Sequence, residues 1–145
     1  VLAVIGDYRD IADLPEGATI ASPLYSRVDL QVLAYLESTG QGATWRRLPF
    51  ESPKHQLDYL ISGAIDAAIV WKPALINQIA ENFPTAGIRS VHIDPIPSTN
   101  RSIGMVVSGE NELLRTLLDE AIAGMIDTGV LDSLLAEHNL LDPIE

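Results

Sequence analysis

The chain has 145 residues, enough for one domain with an ordinary core, and its 47% hydrophobic and 20% charged residues mark it as globular rather than disordered. Twenty acidic residues against nine basic ones give a net charge of −11, which disfavours nucleic-acid phosphates and anionic membranes as partners. The absence of cysteine excludes disulfides, iron–sulfur clusters and thiol catalysis, without deciding the redox compartment.

Val1–Ile5 is an apolar β-type run stopped by Gly6-Asp7, far short of the roughly 20 residues that span a bilayer. Nothing at this end has the charged-then-apolar form of a signal peptide, so a mature form or a piece of a longer chain is expected. Asp10–Leu14 reads as a turn or short helix and Pro15-Glu16-Gly17 as a turn. Thr19–Ala21 is a short strand leading into Ser22-Pro23. A helix follows, with Leu30, Leu33, Ala34 and Leu36 as its apolar stripe and Gly40 at its end. Thr44–Phe50 is a strand holding Trp45. Ser52-Pro53 opens a second helix, with Leu57, Leu60 and Ile61 facing the core and Gly63 capping it.

Ala67–Trp71 is a continuous apolar run, the pattern of a strand covered on both faces. A helix from Pro73 to Phe83, a strand over Ile88–Ile93, a linker over Pro95–Asn100 and a last strand over Ser102–Val107 follow. From Glu110 to about Leu140 the chain is helical, with a break at Thr128-Gly129. Alternating strands and helices imply an α/β fold, a mostly parallel sheet flanked by helices.

Catalytic signatures are missing. There is no Gly-x-Ser-x-Gly elbow and no glycine-rich dinucleotide or phosphate loop, and His55, His92 and His138 are not spaced as metal ligands. No cofactor or metal is implied. Ligand binding has better support, because open α/β sheets bind ligands beyond their strand C-termini, where helix N-termini present free N–H groups. Two such edges stand out. At Ser22-Pro23-Leu24-Tyr25-Ser26, Ser22 and Ser26 offer hydroxyls to a polar or anionic group and Tyr25 offers a cover, although one serine serves equally well as a helix cap. At Trp71-Lys72-Pro73, Trp71 either stacks on a ligand or anchors the core. Glu51, after the strand ending near Phe50, belongs to the same edge.

The stretch Leu60-Ile61-Ser62-Gly63-Ala64-Ile65-Asp66-Ala67-Ala68-Ile69-Val70 resembles the L-x-x-G-x-x-D-A junction of family 3 extracellular solute-binding proteins. Val1–Ile5 with Ile11–Pro15, Gly17 and Thr19–Ala21 resembles that family's hinge strand and the opening of its second lobe. Arg101–Val107 and Leu113–Leu140 resemble its crossover strand and closing helices.

The resemblance implies a periplasmic-binding-protein-like lobe with the first lobe largely absent. Residues 1–97 would form the ligand-binding lobe, and residues 98–145 a crossover strand and helices that pack on the absent lobe or self-associate through that surface. It further implies a periplasmic or secreted binder of a small molecule, with ABC transporter membrane subunits as partners. Trp71 stands where amino-acid binders of the family commonly carry an ammonium-pairing aspartate, and Pro23-Leu24-Tyr25 replaces their Gly-Thr loop. A standard α-amino acid is therefore not expected. The Trp71-Lys72-Pro73 step resembles members associated with quinoprotein alcohol dehydrogenases. The same scaffold also carries dehydratases, for which Glu51 is the candidate acid, and the sensor domains of membrane kinases.

Overall fold

The computed structural model describes residues 1–40, 45–50, 52–96, 104–138 and 140. The chain divides into two compact units, Val1–Thr99 and Asn100–Pro143.

The first unit is a five-stranded sheet with helices on both faces. In chain order its elements are β1 (Leu2–Ile5), a 3-10 turn (Ile11–Asp13), β2 (Thr19–Pro23), α1 (Arg27–Thr39), β3 (Arg46–Phe50), α2 (Pro53–Ile61), β4 (Ala67–Ile69), α3 (Lys72–Asn82) and β5 (Ile88–Val91). The strands lie in the order β3-β2-β4-β1-β5. Pairings β2–β3 and β2–β4 are parallel, while β1 is antiparallel to both β4 and β5. Four strands therefore run one way and β1 alone runs against them, so the sheet is mixed and mostly parallel.

Period-two alternation sorts the strand residues onto two faces. Leu2, Val4, Ile20, Ala67 and Ile69 point to one layer, which Val32 and Leu36 of α1, Ile11, Trp45, Val91 and Ile96 complete. Ala3, Ala21, Ala68 and Val70 point to the other, under Leu57 and Leu60 of α2 and Leu75 of α3. On that second face the register sets Ala21 beside Ala68 and Ala68 beside Ala3. Three methyl side chains in a row leave room for the leucines of α2 to seat on the sheet. Burial on both faces explains why Ala67–Val70 is apolar without a break.

Helix limits follow local chemistry. Ser26 caps α1 by accepting from the Asp29 N–H, and Gly40 ends it in the left-handed region (φ 68°). Ser52 caps α2, with Pro53 at its first turn.

Two helix faces differ from expectation. On α1 the inner positions are Val28, Asp29, Val32, Tyr35 and Leu36, while Leu30 is 64% exposed. Both sets satisfy the i, i+3, i+4 rule; a buried aspartate at position 29 turns the helix away from the all-apolar choice. On α2, Gln56 is buried beside Leu57 and Leu60, and Ile61 lies outward.

The second unit contains α4 (Glu112–Asp127) and α5 (Val130–Glu137), which contact each other and are separated at Gly129, held in the left-handed region (φ 70°). Neither helix has a buried residue, and Leu113, Leu114, Leu117, Ile126, Val130 and Leu134 are exposed. The strand expected over Ser102–Val107 is not formed in its described part, Gly104–Val107. A strand needs a neighbour to satisfy its ladder groups, and the described residues of this unit hold no other strand. Ser102 and Ile103 lie outside the described residues.

Candidate functional site

Parallel strands β2, β3 and β4 each feed a helix, so the N-termini of α1, α2 and α3 gather at one edge of the sheet. Helix N-termini carry unsatisfied N–H groups and the positive end of the peptide dipoles. The register pairs Ile20 with Ala67 and Ala21 with Ala68. Carried forward along neighbouring strands, it brings the segments containing Tyr25 and Trp71 side by side just past the strand ends.

Trp71 is 65% exposed. The strand expected to run through it stops at Ile69, because α3 begins at Lys72-Pro73 and Trp71 becomes its N-cap residue, with no side-chain capping bond. The sequence left Trp71 as either a ligand-stacking ring or a core anchor, and its exposure is at odds with the core anchor. Trp45, by contrast, is only 6% exposed and belongs to the α1 layer.

Tyr25 is 92% exposed and sits at φ 58°. A bulky residue in the left-handed region is strained, by about 1–3 kcal/mol, and such strain concentrates at functional positions. Backbone bonds brace the turn on both sides, from the Leu24 N–H to the Phe50 carbonyl and from the Ser26 N–H to the Pro23 carbonyl.

Both serines have work inside the protein. Ser26 Oγ accepts from the Asp29 N–H at 3.1 Å, which is the capping role, and its own proton remains available for donation. Ser22 is fully buried, and its hydroxyl donates to Asp29 Oδ1 at 2.5 Å. Its hydrogen bond therefore serves Asp29. Glu51 lies outside the described residues.

Asp29 and Arg47 form the element that sequence reasoning missed. Arg47 on β3 donates through Nε and Nη2 to the two carboxylate oxygens of Asp29 on α1, at 2.5 and 2.6 Å. This two-pronged geometry is the strongest form of the ion pair. The Asp29 side chain is 5% exposed and that of Arg47 22%. Hydrogen bonds from Arg47 hold the Asp29 carboxyl below the ordinary carboxylate range; desolvation opposes them and the Ser22 hydroxyl assists. Arg47 is correspondingly raised by the Asp29 hydrogen bonds. The pair ties α1 to β3, with Ser22 of β2 between them, and so fixes the start of α1 against the sheet edge. A hint existed in the spacing of Asp29 three residues after Ser26, but nothing local identifies an arginine eighteen residues away as its partner.

The sheet order, with one antiparallel strand between β4 and β5, and the helices that follow the parallel strands define a single α/β lobe of the periplasmic-binding kind. Solved structures show the same arrangement. An ancestral arginine-binding protein bound to arginine matches with TM-score 0.63 at 20% identity, over 94% of this chain and 57% of its own length. Substrate-binding domain 2 of GlnP from Lactococcus lactis, in an open conformation, matches with TM-score 0.64 at 18% identity, over 94% of this chain and 56% of its own. A periplasmic His/Glu/Gln/Arg/opine family-binding protein from Silicibacter pomeroyi, in complex with lysine, matches with TM-score 0.58 at 20% identity, over 97% and 57%. The chain thus spans somewhat more than half the length of these neighbours. No protein-family model matches the sequence, and no curated protein does.

Proposed function

We propose that this chain is the ligand-capturing lobe of an extracytoplasmic solute-binding protein serving an ABC-type transporter. The observation that carries the reading is the pair of exposed aromatic residues, Tyr25 and Trp71, at the sheet edge where three helix N-termini gather. An exposed tryptophan and a strained, exposed tyrosine have no packing role there, and such edges are where open α/β sheets take ligands. Tyr25, Ser26 and Trp71 would contact the solute, and Ser22 would act one step back, by orienting Asp29. The fold shared with arginine-, lysine- and amino-acid-related binding structures supports a binder rather than an enzyme.

On this reading the lobe supplies one wall of a two-walled cleft. The apolar faces of α4 and α5 would be covered by the other lobe of the whole protein. Self-association through those faces draws no support from the neighbours described above. Service to a quinoprotein dehydrogenase rests on Trp71-Lys72-Pro73 alone, and those neighbours add nothing to it.

A thermal-shift screen of amino acids and organic anions against the chain tests the reading. A stabilising solute is expected, with its shift lost in Trp71→Ala. A shift that persists undiminished in Trp71→Ala places the ligand elsewhere.

A further inference from the structure

Asp29 closes the turn between β2 and α1 from both ends. Its carboxylate oxygen Oδ1 accepts from the Ser22 hydroxyl at 2.5 Å, and its backbone N–H donates to Ser26 Oγ at 3.1 Å. Pro23, Leu24 and Tyr25 are the three residues between those anchors. Strand β3 grips the same turn twice. Its Arg47 holds both carboxylate oxygens of Asp29, and its Phe50 carbonyl accepts from the Leu24 N–H at 2.8 Å. The register allows this: Arg47 lies opposite Ile20, so by the two-residue period of a strand it shares a face with Ser22. Ser22 and Asp29 are buried, where such bonds are stronger than in water.

Inside this clamp Tyr25 keeps its left-handed backbone with its ring exposed. An exposed ring gives no packing that would favour such a backbone, so the bonds on either side have to hold it. Released, a bulky residue strained to this degree would return to an ordinary φ in at least about five cases of six. We infer that Asp29, with Arg47 and Ser22 behind it, is a positioning residue: it holds the Tyr25 backbone left-handed and so keeps the ring at the sheet edge. The ion pair is then more than a tie between α1 and β3. Trp71 stands outside the clamp, its place set by the start of α3. The backbone effect is independent of any solute, whereas its consequence for capture rests on the binding reading above. A binding conformation that is only partly populated weakens capture in proportion.

The test compares four forms of the chain by NMR: wild type, Arg47→Lys, Ser22→Ala and Leu36→Ala. Lysine keeps the charge at position 47 but loses the two-pronged grip, and Ser22→Ala removes the β2 anchor. Leu36→Ala loosens α1 from the core without touching the clamp, and so controls for a general loss of stability. The readout is the NOE between the amide and α protons of Tyr25, which is strong at positive φ because the two protons then lie closer. It is expected to be strong in wild type and Leu36→Ala, and to fall by about half or more in Arg47→Lys and Ser22→Ala. A strong NOE in both clamp variants overturns the inference, and so does an equal fall in Leu36→Ala. The second arm measures thermal shifts with the twenty amino acids, benzoate and succinate. A probe that stabilises wild type should bind about two- to fivefold more weakly in both clamp variants and unchanged in Leu36→Ala. Affinity undiminished in the clamp variants, although the NOE falls, overturns the role in capture. An NOE pattern as expected, with no probe stabilising wild type in a Trp71-dependent way, removes the binding reading and leaves the clamp standing.

Discussion

The two units use helices of similar amphipathic pattern to opposite effect. In Val1–Thr99 the apolar stripes of α1, α2 and α3 meet a sheet and disappear from solvent. In Asn100–Pro143 Leu113, Leu114, Leu117 and Leu134 of α4 and α5 remain exposed, and every buried apolar side chain among the described residues lies at or before Ile96. An apolar stripe is thus a request for a partner and not a description of a core; only the sheet in the first unit answers it. The stability of the described chain should therefore reside almost wholly in the first unit.

Substitutions can break or sharpen this contrast. The largest loss is expected for Trp45→Ala, which empties a buried ring from the α1 layer and should cost about 3–5 kcal/mol in urea denaturation. Arg47→Met comes next, at about 3 kcal/mol, because it strands the buried Asp29 charge. Its effect should depend on pH. The folded Asp29 carboxyl lies below its ordinary value, so the stabilisation is complete above the unfolded carboxylate pKa of about 3.9 and is lost as pH falls through the lower folded value. Denaturation curves of wild type and Arg47→Met should accordingly converge in acid. A gap unchanged from neutral pH to well below that range would show that the pair is not what holds α1 to β3.

Smaller effects probe the edge and the second unit. Ser26→Ala removes the α1 cap and should cost about 1 kcal/mol. Tyr25→Gly should raise stability by about 0.5–1 kcal/mol, since glycine tolerates the left-handed backbone and the exposed ring gives up no packing. A variant that gains stability while losing solute would identify Tyr25 as a residue kept for binding. Leu117→Ala in α4 should change the melting of the chain by less than about 0.5 kcal/mol. A large loss there would show that α4 already shares a core, contrary to the contrast drawn here.

The sheet and most of its helices are legible in the sequence because their signals are local: β-type runs, Ser-Pro helix starts, glycine stops. The doubly covered strand at Ala67–Val70 is visible from its unbroken apolar run. What escapes is whatever depends on a distant partner. Leu30 looks like a core residue until Asp29 is known to be neutralised by Arg47, and the Gly104–Val107 run looks like a strand although the described residues of its unit hold no neighbouring strand. At the edge, Tyr25 and Trp71 can be placed from strand and helix boundaries, but their exposure cannot. The two serines illustrate the same limit, since a hydroxyl at a helix start is ambiguous until its acceptor is seen.

The reversed direction of β1 has a consequence for how the chain is made. Leu2 lies opposite Ile69 on one side and Val91 on the other, so the first strand of this sheet is bordered by its last two. At ribosomal speeds of about 5–20 residues per second, β1 waits on the order of 5–20 s with both edges unpaired while β2 and β3 can already associate. During that interval Val1–Ile5 is a short, uncharged, aggregation-prone edge. Nascent-chain handling should therefore matter most at the amino end of the lobe, where the finished protein is among its best buried.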